Sequence, residues 1–309
     1  GGFTGVGLQP TYQPARDKKS EILFCKNTTK DFGIDVIPFG AISKELKGEQ
    51  LAEMFDMYSV GALAFSDNMR PVHNSGLFSR ALLYAKNFNG LIISFPYEEK
   101  ISPDGLINEG VISTKLGLEG IPDLSEEIMV NRDLLINKYH EGRLHFNILS
   151  SKKSIEQIKI AKKTQNNLSC GTSIFHLLFD DEIINQFDNR FKILPPFRTK
   201  KDRNALLEGV KNGTIDVITS YHQPNEKETT NVEFSLSPFG SIGTQVCFPL
   251  ALTYLKEYIG LEKIVQCMSI NPRTILQYEV PIIKEGYRAN MTLFNPDKKW
   301  TYDKKNNTS

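Results

Sequence analysis

The sequence predicts an α/β fold in which buried parallel strands alternate with amphipathic helices. Short runs of Val, Ile, Leu and Phe show little polar alternation, which is typical of parallel strands covered on both faces. Longer stretches with helical apolar spacing separate these runs, as expected of βα units with helical crossovers. With 309 residues, 40% of them hydrophobic, the chain is long enough for one large domain with a substantial core.

The pattern predicts seven strands, one fewer than an eight-stranded barrel requires. They cover residues 3–8, 33–38, 61–65, 91–95, 143–149, 168–172 and 216–220, with helices predicted at 48–58, 76–87, 125–139, 154–163 and 201–211. Ser125 is predicted as a helix N-cap, and Asn212-Gly213 as the end of the last helix. Residues 282–294 break the alternation and predict a strand or two outside the βα repeat. Periodicity alone does not distinguish an open sheet from a closed barrel.

The composition argues against a nucleic-acid-binding protein, a membrane protein and a disulfide-rich protein. A formal net charge of +1 gives no excess of positive charge that would favour binding to nucleic acid or to an anionic membrane. No apolar run approaches the ~20 residues that span a bilayer, and no segment resembles a signal peptide. Cys25, Cys170, Cys247 and Cys267 lie far apart and form no CxxC pair, which predicts buried, reduced thiols. We therefore expect a cytoplasmic protein that binds neither nucleic acid nor membrane.

Six segments resemble, in order, motifs of the class I dihydroorotases, members of the amidohydrolase superfamily. They are GGFT…PTYQP at 1–14, FSDNMRP at 65–71, PPFRTK at 195–200, GTIDVI at 213–218, SPFGSIG at 237–243 and NPRTIL at 271–276. Each motif alone is weak evidence, but the ordered set is specific. The resemblance implies a (β/α)₈ TIM-type barrel over residues 1–278 whose first strand lies upstream of Gly1. It also implies a small β-rich appendage that includes residues 279–309.

The family's reaction, the interconversion of dihydroorotate and carbamoyl aspartate, uses metal-bound hydroxide and a carboxylate that shuttles the proton. Carried over by the resemblance, the family's metal positions fall on Asp67, Ser94, Ile148 and Tyr221, and two further histidine ligands fall before Gly1. Asp67 is the one natural ligand among these four, and Tyr221 stands where the family has the catalytic aspartate. We therefore expect no catalytic residue, metal or other cofactor in this chain. An active enzyme would need zinc.

Other residues are candidates for a pocket at the barrel mouth. They are Thr11, His176, Leu194, Arg198, His222, Asn225, Phe239 and Gly240. Arg198 either binds an anion at a helix N-terminus or, as we favour, forms a surface salt bridge. For Asp67 we favour a turn cap over a surviving metal ligand, and for His176 and His222 a packing or pocket role over a new metal pair.

Three functions remain open at this point. The resemblance implies a non-catalytic relative that supports aspartate transcarbamoylase in pyrimidine biosynthesis, or that forms a homo-oligomer. The second candidate is an active zinc-dependent dihydroorotase or related cyclic amidohydrolase, and the third is a small-molecule sensor. Phe95, Tyr97, Phe175 and Tyr221 put aromatic bulk at the predicted mouth, which favours the non-catalytic interpretation.

Overall fold

The computed structural model describes residues 1–303, and every strand pair within this range is parallel. The strands are β1 (Gly5–Leu8), β2 (Asp35–Pro38), β3 (Ala64–Phe65), β4 (Leu91–Ser94), β5 (Ile107–Asn108), β6 (Gly120–Ile121), β7 (Arg143–Phe146), β8 (Leu168–Ser173) and β9 (Val217–Thr219). All seven predicted strands are present. The short β5–β6 pair, which the sequence pattern did not predict, lies in the connection between β4 and β7.

Helices follow the strands along the chain. They are α1 (Lys19–Thr29), α2 (Met54–Ser59), α3 (Ser75–Lys86), α4 (Val111–Leu116), α5 (Leu124–His140), α6 (Lys152–Ala161), α7 (Ile174–Leu178), α8 (Lys200–Lys211), α9 (Lys227–Thr230), α10 (Cys247–Tyr254), α11 (Lys256–Ile259), α12 (Leu261–Val265) and α13 (Asn271–Ile275). A π-helical turn, Gln266–Ile270, joins α12 to α13. No helix within residues 1–303 is long and apolar enough to cross a membrane.

Strand order identifies the architecture. β1 pairs with β2, and β3, β4, β7, β8 and β9 form one sheet in that order. A parallel bridge between Gly40 and Phe65 joins the two groups. The order follows the chain without reversal, so the units wind in one direction, as in a (β/α) barrel, and not in two, as in a doubly wound sheet. The predicted barrel class is confirmed. A first strand upstream of Gly1 stays a prediction.

Both faces of the strands are buried, which explains their nearly continuous apolar sequences. On β4, Leu91 and Ile93 pack with Ile37 in a cluster inside the barrel. Ile92, between them, belongs to the larger cluster that the strands form with the surrounding helices. Because successive side chains alternate between faces, a strand that is covered on both sides cannot show polar alternation.

Helix termini agree only in part with the prediction. Helix α8 ends at Asn212 and the left-handed Gly213 as predicted, and Thr199 and Asp202 cap its start reciprocally. Helix α5, however, begins at Leu124, so Ser125 lies in the first turn and is not the N-cap. The predicted helix at 48–58 begins only at Met54. Helices α1, α4, α7 and α9–α13 were not predicted.

The segment after α13 has no strand within residues 279–303, so the strands predicted at 282–294 are wrong. Polar contacts attach the segment to the start of β2: Arg288 and Asn290 bind the Asp35 carboxylate at 3.0 and 2.8 Å. Arg273 of α13 donates to the carbonyl of Glu279 at 2.9 Å. Long-range side-chain contacts, which a local pattern does not contain, thus determine the path of the segment. The division into 1–278 and 279–309 stays a prediction, and residues 304–309 lie outside the described range.

Candidate functional site at the barrel mouth

The positions that the resemblance assigns to metal binding lie at one end of the barrel. In a parallel barrel the carboxyl ends of all strands open at the same end, the mouth. Asp67 follows β3, Ser94 ends β4, Ile148 follows β7 and Tyr221 follows β9. The structure therefore brings all four positions to the level of the mouth, and the direction of each side chain decides what it contacts.

The Asp67 carboxylate binds the loop after β2, and does not cap the turn that follows β3 as predicted. Its Oδ1 accepts hydrogen bonds from the backbone N–H groups of Ile42 and Ser43 at 2.8 and 3.1 Å, and its Oδ2 accepts one from the Ser43 hydroxyl. Burial raises the pKa of the Asp67 carboxyl to about 6, although these three hydrogen bonds oppose the shift. Both carboxylate oxygens are therefore engaged in holding the loop after β2 against the end of β3.

Ser94 points away from the mouth. Its hydroxyl donates a 2.6 Å hydrogen bond to Oδ2 of Asp133 on α5. Asp133 is fully buried, pairs with Arg132 at 2.6 Å, and has its pKa raised to about 6 by burial. The next residue, Phe95, packs against Tyr97 with ring centroids 6.1 Å apart. At this strand end Phe95, and not Ser94, lies on the mouth side, because side chains alternate. The assignment of a family metal position to Ser94 stays a prediction.

The side chain of Tyr221 is buried at the mouth and held there by hydrogen bonds. Its hydroxyl donates to the carbonyl of Leu194 and accepts from the N–H of the same residue, both at 2.9 Å. Its ring meets Phe175 edge-on at 6.5 Å, and Ile148 is buried in the same apolar cluster. Burial raises the pKa of the Tyr221 phenol well above its usual value. A neutral phenol with both hydrogen-bonding functions used cannot replace a carboxylate that must exchange protons.

An apolar cluster occupies the mouth beside Tyr221. It consists of Phe95, Tyr97, Ile121 and Leu194, with Met69 and Phe239 packed against it. Each of its first four members is at most 8% exposed. Hydrophobic side chains therefore fill the region in which a polar ligand would need hydrogen-bonding partners.

Asn225 and Gly240 hold the loop that carries Phe239. The Asn225 amide donates to the carbonyl of Phe239 at 3.1 Å. A Cβ added to Gly240, whose φ is +159°, would lie 2.4 Å from Nδ2 of Asn225 and 2.5 Å from the carbonyl oxygen of Gln223. Glycine is therefore required where two backbone segments approach each other. These two pocket candidates therefore stabilise the conformation of the loop that carries Phe239.

The histidines near the mouth are uncharged packing residues or lie at its rim. His176 is buried between Pro195, whose carbonyl accepts from Nε2 at 2.9 Å, and Ser173, whose hydroxyl lies 2.7 Å from Nδ1. Burial lowers the pKa of His176 to about 4. His222 is exposed and accepts a long hydrogen bond from the N–H of Thr244 at 3.5 Å. Thr11 is exposed at the end of another loop.

Arg198 is buried, so its interpretation as a surface salt bridge is wrong. Its guanidinium donates to Ser150 Oγ at 3.2 Å, to Asn108 Oδ1 at 3.0 Å and to the carbonyl of Ile121 at 2.5 Å. The Ser150 hydroxyl donates in turn to the fully buried carboxylate of Glu126 at 2.5 Å. The Arg198 side chain, which has several donors, thus links three segments at the mouth. The buried polar atoms of these segments need hydrogen-bond partners, and the guanidinium supplies them.

Lys192 is a structural residue that the sequence reasoning missed. Its ammonium donates to the carbonyls of Phe234, Ser235 and Ser237 at 2.7, 3.1 and 2.6 Å. It also lies 5.3 and 5.2 Å from the ring centroids of Phe234 and Phe239. Its position between Phe191 and Ile193 was the available signal, since a charge inside an apolar run needs buried partners.

The side chains present do not fit a pair of catalytic metals. Among residues 1–303, no three His, Cys, Asp or Glu side chains come together as potential ligands. Asp67 has both oxygens engaged, and Tyr221 and Ile148 are buried in apolar surroundings. A cavity of ≈ 270 Å³ lies elsewhere, beside β1 and against α12, α13 and the C-terminal segment.

Comparison with known proteins identifies the family. A family model described as dihydro-orotase-like matches residues 1–154. The dihydroorotase of Caldicellulosiruptor saccharolyticus is 37% identical over 309 residues, covering 99% of this chain and 72% of that protein. The dihydroorotase of Acetivibrio thermocellus is 36% identical over 306 residues, with 98% and 72% covered. The chain belongs to the dihydroorotase family. Its resemblance to dihydroorotases is thereby confirmed.

Solved structures of the amidohydrolase superfamily share the fold of this family member. The L-hydantoinase from Arthrobacter aurescens superposes with a TM-score of 0.77 at 19% identity, over 90% of this chain and 64% of that protein. The dihydroorotase of Saccharomyces cerevisiae, solved with 5-fluoroorotic acid, gives a TM-score of 0.73 at 13% identity, over 90% and 78%. The chain thus spans somewhat under two thirds of the hydantoinase's length, and at these identities the likeness concerns the fold alone.

Proposed function

We propose that this dihydroorotase-family chain does not hydrolyse dihydroorotate and acts as a structural or regulatory partner in pyrimidine biosynthesis. The observation that carries the proposal is the state of Tyr221. It stands where the family has its proton-shuttling aspartate, and both of its hydrogen-bonding functions are used by Leu194. The apolar surroundings of Ile148 and Phe95 support the same conclusion, since a catalytic hydroxide needs charged ligands.

The decisive experiment combines metal analysis with an activity assay on the full-length protein. We expect substoichiometric zinc and a rate of dihydroorotate hydrolysis equal to that of a metal-stripped sample. Tyr221→Asp is expected to stay inactive, because an unpaired carboxylate in an apolar mouth is costly and the other positions still lack ligands. Zinc-dependent turnover by the unmodified protein would overturn the proposal.

We propose aspartate transcarbamoylase as the partner, and the cytoplasm as the location. All four thiols are buried and unpaired, which suits a reducing compartment. The test is co-sedimentation of the full-length protein with the aspartate transcarbamoylase of the same organism, with an ornithine transcarbamoylase as the control. A stable complex with the first enzyme alone, and a change in its activity, is the expected result. Equal binding to both enzymes, or to neither, contradicts this assignment.

A second candidate function is an active zinc-dependent dihydroorotase or related cyclic amidohydrolase. The observation that favours it is the 36–37% identity to dihydroorotases over nearly the whole chain. This candidate requires that a metal be held by donors other than Ile148 and Tyr221. The metal and activity measurements described above distinguish the two functions.

A further inference from the structure

The helices α6 and α8 concentrate positive charge on one side of the molecule. Residues 152–163, which comprise α6 and the turn after it, contain five lysines and one glutamate. Helix α8, which packs beside α6, contains four basic and two acidic side chains. The two segments therefore carry a net charge of +6, whereas the whole chain carries +1. The overall composition does not reveal this excess, because the other residues together carry −5.

More than half of these basic side chains lack a carboxylate partner. Four of the nine form ion pairs: Lys152 with Glu156, Lys153 with Glu127, Lys162 with Asp216 and Arg203 with Asp180, at 3.7, 3.3, 2.5 and 2.7 Å. The other five are exposed and have no carboxylate partner among residues 1–303. We call these five the basic face: Lys159, Lys163, Lys200, Lys201 and Lys211.

The basic face extends along both helices. Lys200 and Lys201 begin α8 and Lys211 ends it, about 16 Å further on at 1.5 Å per residue. Lys159 lies in the last turn of α6, and Lys163 follows one turn later. Like charges that are held this close repel one another, and an oppositely charged partner relieves the repulsion. The basic face is therefore complementary to a negatively charged surface of similar length.

One exposed apolar side chain lies within the basic face. Ile160 is 67% exposed and stands between Lys159 and Lys163 in the sequence. Because residues four apart are neighbours on a helix, it also adjoins Glu156. A central apolar contact with a polar rim is the usual arrangement of an interface between proteins. Ile160 thus supplies a contact that a purely electrostatic surface lacks.

The neighbouring residues favour a protein over nucleic acid or a membrane as the partner. Glu156 and Glu208 lie exposed on α6 and α8, where they would repel a regular row of phosphates. A membrane-binding helix needs a broad apolar face, but Ile155 and Ile158 of α6 are buried in the core. This leaves Ile160 as a single apolar contact. A protein, in contrast, can place one carboxylate opposite each lysine and a cation opposite each glutamate.

We propose that the basic face binds an acidic surface of another protein. In the complex, carboxylates of the partner pair with the exposed lysines, and one apolar side chain of the partner packs against Ile160. Such charge pairing accelerates association, and it weakens as the salt concentration rises. The proposal goes beyond the function proposed above, since neither the chemistry of the mouth nor the identity of the partner enzyme enters the argument.

The first test measures the binding of a fluorescent peptide to the full-length protein by fluorescence anisotropy. The probe is a helix-forming peptide with glutamates at helical spacing around one central leucine. We expect it to bind at about 50 mM salt, and about tenfold more weakly at about 200 mM salt. Lys159→Glu combined with Lys163→Glu is expected to weaken binding by at least about tenfold, because two attractions become repulsions.

A second pair of lysines provides the matched control. Lys19 and Lys30, at the two ends of α1, are also exposed and have no carboxylate partner among residues 1–303. Lys19→Glu combined with Lys30→Glu changes the net charge by the same amount and is expected to leave the affinity for the peptide unchanged. Equal weakening by the two double variants would show a response to net charge alone and would overturn the proposal.

The second test examines the apolar contact. Ile160→Ser in the protein and Leu→Ala in the peptide are each expected to weaken binding about fivefold. The two changes together are expected to weaken it no more than either one alone, because both remove the same contact. Additive effects of the two changes would contradict the predicted position of Ile160 in the complex.

The same titrations with other anionic ligands test the class of partner. The probes are a DNA duplex and vesicles of phosphatidylcholine with phosphatidylserine. We expect both to bind more weakly than the peptide. Tighter binding of either one would assign the basic face to nucleic acid or to a membrane and overturn the proposal, and so would a failure of the peptide to bind at low salt.

Discussion

At the scale of single residues, the ring and the hydroxyl of Tyr221 contribute separately to stability. The ring fills core space beside Phe175, and the hydroxyl satisfies both backbone groups of Leu194. Tyr221→Ala is expected to lower the free energy of unfolding by about 3–5 kcal/mol through lost burial and a cavity. Tyr221→Phe is expected to cost about 1–3 kcal/mol, because two buried backbone groups lose their partner. Denaturant unfolding measures both values.

The exposed Tyr139→Phe is the control for the second substitution and is expected to change stability by less than about 0.5 kcal/mol. Since both tyrosines lose the same hydroxyl, the difference isolates the effect of burial. Equal stability of Tyr221→Phe and the unmodified chain would contradict the hydrogen bonds described here.

Asp67 is expected to make the stability of the folded protein depend on pH. Its pKa is raised from 3.8 to about 6 in the folded state, so the folded protein binds this proton more tightly than the unfolded chain. The corresponding stability is present below pH 3.8 and is lost as the pH rises through about 6. Asp67→Asn removes this dependence. Its stability relative to the unmodified chain is therefore expected to rise by about 2 kcal/mol between pH 4 and pH 7.

The measurement is the difference between two unfolding curves at each pH. His145 and His176, whose pKa values are lowered to about 3 and 4, shift stability in the opposite direction over the same range, but both proteins share them. Loss of the hydrogen bonds to Ser43 shifts the unfolding free energy of the variant by the same amount at every pH. A difference independent of pH would show that Asp67 does not titrate as the structure implies.

At the scale of elements, Lys192 connects a loop to the barrel. Three carbonyls of the loop after α9 converge on its ammonium group, and the aromatic ring of Phe239 lies next to it. Lys192→Met keeps the length of the side chain and removes every donor. We expect faster hydrogen exchange and proteolysis in residues 231–243, and a loss of about 1–3 kcal/mol in unfolding free energy.

Lys201→Met, an equally conservative change at the exposed start of α8, is the control and is expected to leave the loop protected. If both variants behave alike, the loop is held by its apolar contacts and not by the ammonium group.

At the scale of the whole molecule, the pairing of the strands predicts a gradient of protection. β4, β7 and β8 are each paired on both sides, whereas β1 and β9 are each paired on one side within the described chain. Amides of the central strands are expected to exchange with solvent only on global unfolding, and those of β1 and β9 through local opening. Native-state hydrogen exchange measures this order. Protection of β1 equal to that of β7 would indicate that its free edge is covered.

The sequence by itself determined the seven main strands through local pattern and the barrel class through the family resemblance, and the loss of the family's ligand types stays a prediction of that resemblance. Short apolar runs without alternation are typical of strands covered on both faces, and a residue such as Ile148 has no lone pair in any conformation. Tertiary structure decided which way the side chains point and which distant residues they contact. Ser94 turned outward to Asp133, and Arg198 was buried against Ser150, Asn108 and Ile121. Lys192 was buried among loop carbonyls, and residues 279–303 adopted no strand. These features rest on contacts between segments far apart in the chain, which local patterns do not contain.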